Sequence, residues 1–517
     1  MEEIRLAEYR DRSQQRQWGA LLSYVYSFAQ IVVGLLYVPI LISGIGQNEY
    51  GLYQLIGSII SYLAAMNSVL SGGITRFYCK YYIEGNQLMM ENVLATGRSI
   101  NRFIAVLLIP VTFVIMILVN IGYKSTLTDY QLVESNVMLV VLAVNVVVTM
   151  NNIINVAVIN ANESFAFLKL TQILSIVLQP VLVVVALSFF PFALTVCVIQ
   201  LFLNILCALS QRIFARKVLN AKVILHHRSK KLYKDLIAFS STILLVAIAD
   251  QVFWKTNQII LGYTHGMEIV AVYAIAMQIC TSYQPLGTSI SSVFMPKISD
   301  LYFEKKDLKA IFKLFCSIGR IAGYPLFLVL FGFMVFGQSF IGLWAGEGFE
   351  EAYLIALIVM IPLTIDLLQH LGLYILQVMN KYSFRGILFL VMAIVQVVLV
   401  LLIVPTFGPL SAACITAVIY LIGNGFIMNL YYKVILQTKI SIFWIGILKE
   451  FLPMLVFSIL FLWIARALSI EFNSWLNLIL GIVIFCIMFM VVAYSFSMNN
   501  EEKEQLWHFL RKTTFSK

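Results

Sequence analysis

Apolar runs broken by short polar stretches make up nearly the whole chain. They fall at 18–44, 51–75, 103–121, 135–159, 165–188, 191–211, 236–263, 268–296, 314–343, 352–379, 386–404, 408–432, 446–466 and 472–498, fourteen in all. A bilayer hydrocarbon core about 30 Å thick is crossed by roughly 20 apolar residues in helical form, so each run predicts a transmembrane helix. Composition agrees: 61% of the 517 residues are hydrophobic and 12% charged, against about 45–50% and about 25% for soluble domains. No soluble fold could hide that much apolar surface. The first segment, 1–17, holds four acids and four arginines and leads into an apolar run without a small-residue cleavage pattern. It reads as the cytoplasmic flank of a retained first helix.

Charge orients the helices, because short cytoplasmic loops are enriched in Lys and Arg. With the N-terminus inside, one side receives Lys80, Arg98, Arg102, Lys169, eight cations from Arg212 to Lys234, Lys297 to Lys313, Lys381, Arg385, Lys433, Lys439, Lys449 and the basic tail. The other side holds only Lys124 and Arg466, against acids such as Glu49, Asp129, Glu134, Glu347 and Glu471. Both termini are therefore expected in the cytoplasm. The net charge of +10 is a topology signal with anionic membrane lipid as its partner, and no nucleic acid is implied. Seven cysteines are scattered singly, without metal-type or disulfide spacing.

The longest polar stretch, Arg212 to Asp235, separates six runs from eight. The expected organisation is all-α and polytopic. It comprises a cytoplasmic segment 1–17, an N-lobe of six helices over 18–215, a basic linker at 216–235, a C-lobe of six helices over 236–435, two further helices over 436–498 and a cytoplasmic tail at 499–517. An offset of 220 pairs Gly46 with Gly266, Tyr53 with Tyr273, Ser71 with Ser291, Tyr82 with Tyr302 and Glu84 with Glu304, as parallel repeats would. In repeat-built transporters the substrate sits between the repeats.

The stretch Gly46-Gln47-Asn48-Glu49-Tyr50-Gly51-Leu52-Tyr53, with Ser71-Gly72-Gly73-Ile74-Thr75-Arg76-Phe77 after it, resembles the helix 1–2 region of the oligosaccharide flippases known as Wzx. Lys255-Thr256-Asn257-Gln258-Ile259-Ile260-Leu261-Gly262, followed by Val272 to Ala276, resembles their helix 7–8 signature. That family belongs to an exporter superfamily that also holds multidrug exporters and the lipid II flippase. The resemblance implies two six-helix lobes with alternating access. It also implies a bacterial inner-membrane protein that flips polyprenyl-pyrophosphate-linked oligosaccharide for O-antigen (lipopolysaccharide), capsule or exopolysaccharide assembly, alongside polysaccharide polymerase machinery. At Asn257 it implies an acid, and this chain has a neutral amide.

Charges inside spans cost roughly 2.5–3.5 kcal/mol each at the bilayer centre and so demand a reason. Asp250 and Lys255 stand in the run 236–263, five residues and thus about 140° apart on a helix. Lys255 is the candidate for an anionic head group, with Asp250 and Asn257 in the same polar cavity; structural pairing with another helix is the alternative. Asp366 and His370, at i and i+4, share a helix face and could take a proton or a cation such as Na⁺, or simply hold helices together. Arg76, Arg98, Arg102 and Arg320 lie near the cytoplasmic ends, where the guanidinium fork suits pyrophosphate and where topology alone also places arginine.

No catalytic residues, metal site or cofactor are expected, a coupling ion aside. A membrane glycan polymerase or ligase would need a large outer loop with catalytic carboxylates, and the longest outer loop, near 121–135, is short and lacks them. The chain therefore reads as a transporter. Within transporters, a lipid II flippase and an ion-coupled multidrug exporter are the alternatives.

Overall fold

The computed structural model describes residues 2–227, 229–437, 439–500 and 502–504; within these, the side chains of 2–21, 24, 66–70, 238–243, 245 and 292 lie outside the description. The described chain is helical apart from short connections and holds no strand. A backbone in hydrocarbon must satisfy its own hydrogen bonds, and a helix does so within one segment. In order the helices are α1 (Glu2–Ile83), α2 (Gln87–Gly122), α3 (Asp129–Ala161), α4 (Phe165–Leu187), α5 (Ala193–Lys217), α6 (Lys230–His265), α7 (Met267–Ser292) and the short α8 (Met295–Ser299). They continue with α9 (Leu308–Ala345), α10 (Glu351–Leu368), α11 (Leu371–Val378), α12 (Ser383–Phe407), α13 (Pro409–Tyr420), α14 (Met428–Leu436), α15 (Ser441–Ala467) and α16 (Trp475–Val492).

Twelve helical segments among the described residues are long and apolar enough to cross a membrane. One, Val25–Ala65, has 41 residues, about 60 Å at 1.5 Å per residue and twice the hydrocarbon thickness. It is divided at Gly46, where φ is 81° and ψ 166°, so it accommodates parts of both runs expected at 18–44 and 51–75. The run expected at 236–263 lies in α6, outside the twelve but 36 residues long. Each of the fourteen expected runs thus coincides in the main with helix. Three details differ from expectation: the helix continues through Gly72 and Gly73 to Ile83, the run 268–296 is interrupted at Val293–Phe294 between α7 and α8, and the run 352–379 breaks at Gln369–His370 between α10 and α11.

Polar residues at the run ends start the helices. Asn86 accepts a hydrogen bond from the Met89 N–H, Thr128 and Gln131 cap each other, and Asp307 accepts from the Ala310 N–H. Gly266 ends α6 with φ 85° and ψ −179°. This is nearly the geometry of Gly46, its partner at the offset of 220, and it lies in a region that side-chain-bearing residues avoid. Gly51 meets a different need: a Cβ there would lie 1.9 Å from the Met267 carbonyl oxygen.

The chain forms two compact units, residues 1–274 with 397–408, and residues 275–396 with 409–517. In the first unit α1 packs on α3, α4 and α6, and α3 packs on α5. Asparagines on α3 tie the last pair together: Asn204 Nδ2 donates to Asn145 Oδ1 at 2.9 Å, and Asn152 Nδ2 donates to Gln211 Oε1 at 2.7 Å. In the second unit α9 packs against α10, α15 and α16, and α10 against α13. Phe336 on α9 joins α16 through Phe485, ring centroids 5.6 Å apart, and α15 through Phe461 at 5.9 Å. Such edge-on pairs add about 0.5–1.5 kcal/mol each.

Candidate functional site

In the first unit, α6 is stitched to its neighbours one turn beyond Lys255. Ser58 donates to Gln258 Oε1, the Tyr62 and Thr256 hydroxyls lie 2.5 Å apart, and the Tyr123 hydroxyl donates to the Ile259 carbonyl at 2.7 Å. Asn257 belongs to this seam. It is 2% exposed and its Nδ2 donates to the Tyr273 hydroxyl at 2.6 Å. The cavity role expected for it gives way to packing, because an amide so covered has no surface left for a ligand. Lys255 differs: partly buried, it makes no hydrogen bond or ion pair with a described residue. Asp250 is exposed and acts on Lys255 through space.

Arg98 and Arg102 are brought together, and Arg212 joins them from α5. The three line a pocket of about 400 Å³ with Asn151, Asn152 and Asn155 of α3. None of the three guanidiniums has a hydrogen-bond or ion-pair partner among the described residues. Arg76 lies exposed on the second half of α1 and is not part of this pocket.

Arg320 is used by the chain itself. Its Nε and Nη2 donate to the Glu502 carboxylate at 2.7 and 2.9 Å, Nη1 to the Gly446 carbonyl at 2.7 Å and Nη2 to the Ser497 carbonyl at 2.9 Å. The phosphate role expected for Arg320 is displaced, since its fork is filled. Burial works against the charge of Glu502, but hydrogen bonds from Arg320, the Asn499 N–H and the Tyr324 hydroxyl hold its carboxyl below the usual range.

Asp366 lies in the last turn of α10 and His370 in the break that precedes α11. They make no hydrogen bond or ion pair with each other among the described residues. Asp366, 7% exposed, accepts from the Tyr420 hydroxyl at 2.9 Å, and His370 Nδ1 is buried without a partner. A third charged group faces this site. Arg385, expected as a loop cation on the basic side, is 9% exposed with Nε and Nη1 unpartnered. It stacks 4.5 Å from the Phe389 ring centre and lies within the field of Asp366.

The backbone around this cluster is also irregular. The segment Leu421–Ile427 is a π-helix, a form with i→i+5 hydrogen bonds and a wider turn. Its Asn424 carbonyl accepts from Gln369 at 2.6 Å, and Asn429 bridges Gln369, the Gly425 carbonyl and Trp444.

Residues 45–354 match a family described as polysaccharide biosynthesis protein. The chain belongs to this family. No curated protein sequence matches it. The fold of this polysaccharide biosynthesis protein is that of known membrane transporters. A structure of the lipid II flippase MurJ in an inward closed conformation superposes with TM-score 0.73 at 13% identity, covering 92% of this chain and 99% of the other. An inward-facing multidrug resistance MATE family transporter of the MOP superfamily gives 0.64 at 14%, covering 79% and 94%. A MOP superfamily transporter from Pyrococcus furiosus gives 0.54 at 15%, covering 83% and 95%. At 13–15% identity these likenesses are of fold.

Sequence reasoning about this polysaccharide biosynthesis protein missed Arg385 and Glu450. Glu450 is wholly buried, with both oxygens lacking hydrogen bonds, beside Gly323 and within the field of Arg320. Its signal was present, since it stands inside the apolar run 446–466.

Proposed function

We propose that this polysaccharide biosynthesis protein flips polyprenyl-pyrophosphate-linked oligosaccharide repeat units across the bacterial cytoplasmic membrane by alternating access, for O-antigen, capsule or exopolysaccharide assembly. Lys255 carries this reading: a cation in the apolar run 236–263 of α6 that makes no hydrogen bond or ion pair with a described residue, with the exposed Asp250 acting on it only through space, is costly unless a ligand supplies the anion. A pyrophosphate would do so, and the fixed low-dielectric surroundings strengthen the attraction over its value in water. Both termini lie in the cytoplasm in this reading, and delivery to polysaccharide polymerase machinery follows on the far side. Asp366 and His370 take the coupling role, with H⁺ or Na⁺ as the ion. A multidrug exporter would need an acid for an organic cation; Asp366 accepts from Tyr420 and lies within the field of Arg385, so that alternative rests on the exposed Asp250.

The test uses purified protein in sealed vesicles containing a fluorescent polyprenyl-pyrophosphate oligosaccharide and a membrane-impermeant quencher. Wild-type protein should make the inner-leaflet pool quenchable, while an equally labelled phosphatidylcholine stays protected. No movement of the oligosaccharide lipid, or equal movement of both, would overturn the proposal. Preference for lipid II over oligosaccharide repeat units would reassign the glycan and keep the flipping.

A further inference from the structure

Outside the sites above, the surface of α2 and α3 carries an apolar channel that meets the arginine pocket. The channel, about 610 Å³, is lined by residues such as Val106, Ile109, Phe113, Val140 and Val144, and it shares Val147 and Val148 with the pocket of Arg98, Arg102 and Arg212. Val106, Ile109 and Phe113 are 66%, 70% and 62% exposed, so the channel opens toward the bilayer. On α2 it extends from Ala105 to Met116. Eleven steps of 1.5 Å make that about 17 Å, close to half of a hydrocarbon core about 30 Å thick. The channel is therefore as deep as one leaflet, and its charged end lies on the Lys- and Arg-rich side.

The charged end is unbalanced. Arg98 feels the repulsion of Arg102, Arg212 and Arg216, and no described carboxylate pairs with Arg98, Arg102 or Arg212. Like charges held this close call for a counter-anion.

We propose that this groove holds a resident anionic phospholipid, its phosphate between Arg98, Arg102 and Arg212 and one acyl chain in the channel between α2 and α3. Charge selects the head group, and the one-leaflet depth selects an acyl chain over a longer polyprenyl chain.

Native mass spectrometry of the full-length protein in detergent tests this with phosphatidylglycerol and phosphatidylcholine of identical chains. Wild type should retain one phosphatidylglycerol at least tenfold more tightly than phosphatidylcholine, and inorganic phosphate should not displace it. Arg98→Gln/Arg102→Gln/Arg212→Gln should abolish that preference. Val144→Trp, which fills an exposed part of the channel and leaves the charges, should weaken phosphatidylglycerol retention at least fivefold. Equal retention of the two lipids, or retention unchanged by either variant, overturns the proposal. Tenfold tighter binding of a polyprenyl phosphate at the same arginines would also overturn it, by making the groove a carrier-lipid site.

Discussion

Arg320 clasps Glu502 with two parallel hydrogen bonds, Nε to Oε1 at 2.7 Å and Nη2 to Oε2 at 2.9 Å, and so fastens the segment after α16 to the middle of α9. The pair is 14% and 9% exposed, and buried Glu450 lies in the same field. Removing Arg320 leaves the Glu502 carboxylate without its cation. Arg320→Met should destabilise the purified protein by about 3–5 kcal/mol, the cost of breaking a buried pair from one side. Glu502→Gln should cost less, about 1.5–3 kcal/mol, because Arg320 keeps its two carbonyl partners. The folded-state value of Glu502 is lowered, so its contribution is in place above the unfolded carboxyl value of about 4.3 and is lost as pH falls through the folded value. Thermal melts in detergent should show Glu502→Gln converging on wild type in acid; a constant difference across pH would refute the linkage.

Gly51 and Gly57 lie on the same stretch of α1 and make a matched pair. Gly51→Ala would drive its Cβ to 1.9 Å from the Met267 carbonyl oxygen, whereas a Cβ at Gly57 meets nothing within 4 Å. Gly51→Ala should therefore lose about 1–3 kcal/mol, as overpacked contacts do. Gly57→Ala should be neutral or gain about 0.5–1 kcal/mol from helix propensity. Equal melting temperatures for the two variants would show that α1 and the start of α7 do not meet as described.

The helices were legible because the membrane imposes one pattern, a long apolar run, that needs no knowledge of neighbours. The Gly46–Gly266 correspondence was legible too, because a positive φ leaves its mark as glycine at the same offset. What stayed hidden depends on which neighbour a side chain meets. Arg385 precedes the run 386–404 and reads as a loop cation until Asp366 and Tyr420 are placed around it. Glu450 stands inside the apolar run 446–466, but its burial beside Gly323 depends on how α9 and α15 pack. Asn257 and Arg320 have the right chemistry for ligands, and only geometry reveals that Tyr273 and Glu502 already occupy them.

The break after α10 gives the coupling proposal its test. Asp366 is held by Tyr420 at 2.9 Å while His370 Nδ1 has no partner, which leaves that nitrogen open to a proton whose charge burial and Arg385 oppose and Asp366 favours. Transport in sealed vesicles should accelerate several-fold with an imposed pH gradient in wild type. Asp366→Asn should lose that response, and Tyr420→Phe should retain part of it. Because Asp366→Asn leaves Arg385 without its counter-charge, Asp366→Asn/Arg385→Gln serves as the stability control. A gradient response surviving in the folded double variant would return Asp366 and His370 to a structural role.

Lys255 carries the sharpest claim about substrate charge. In water two unit charges at 4 Å attract by only about 1 kcal/mol, and the attraction grows in a low-dielectric site. Lys255→Arg keeps the cation and should retain much of the export. Lys255→Ala should reduce export at least tenfold while the protein inserts and accumulates normally. If Lys255 served only to balance Asp250, which acts on it through space, then Lys255→Ala would leave an acid uncompensated and lower abundance. The double variant Asp250→Asn/Lys255→Met would in that case recover both abundance and polysaccharide export. Export by that double variant, which has no cation left at this depth of α6, would eliminate Lys255 as a substrate ligand; loss of export at normal abundance in it would tie the cation to the pyrophosphate.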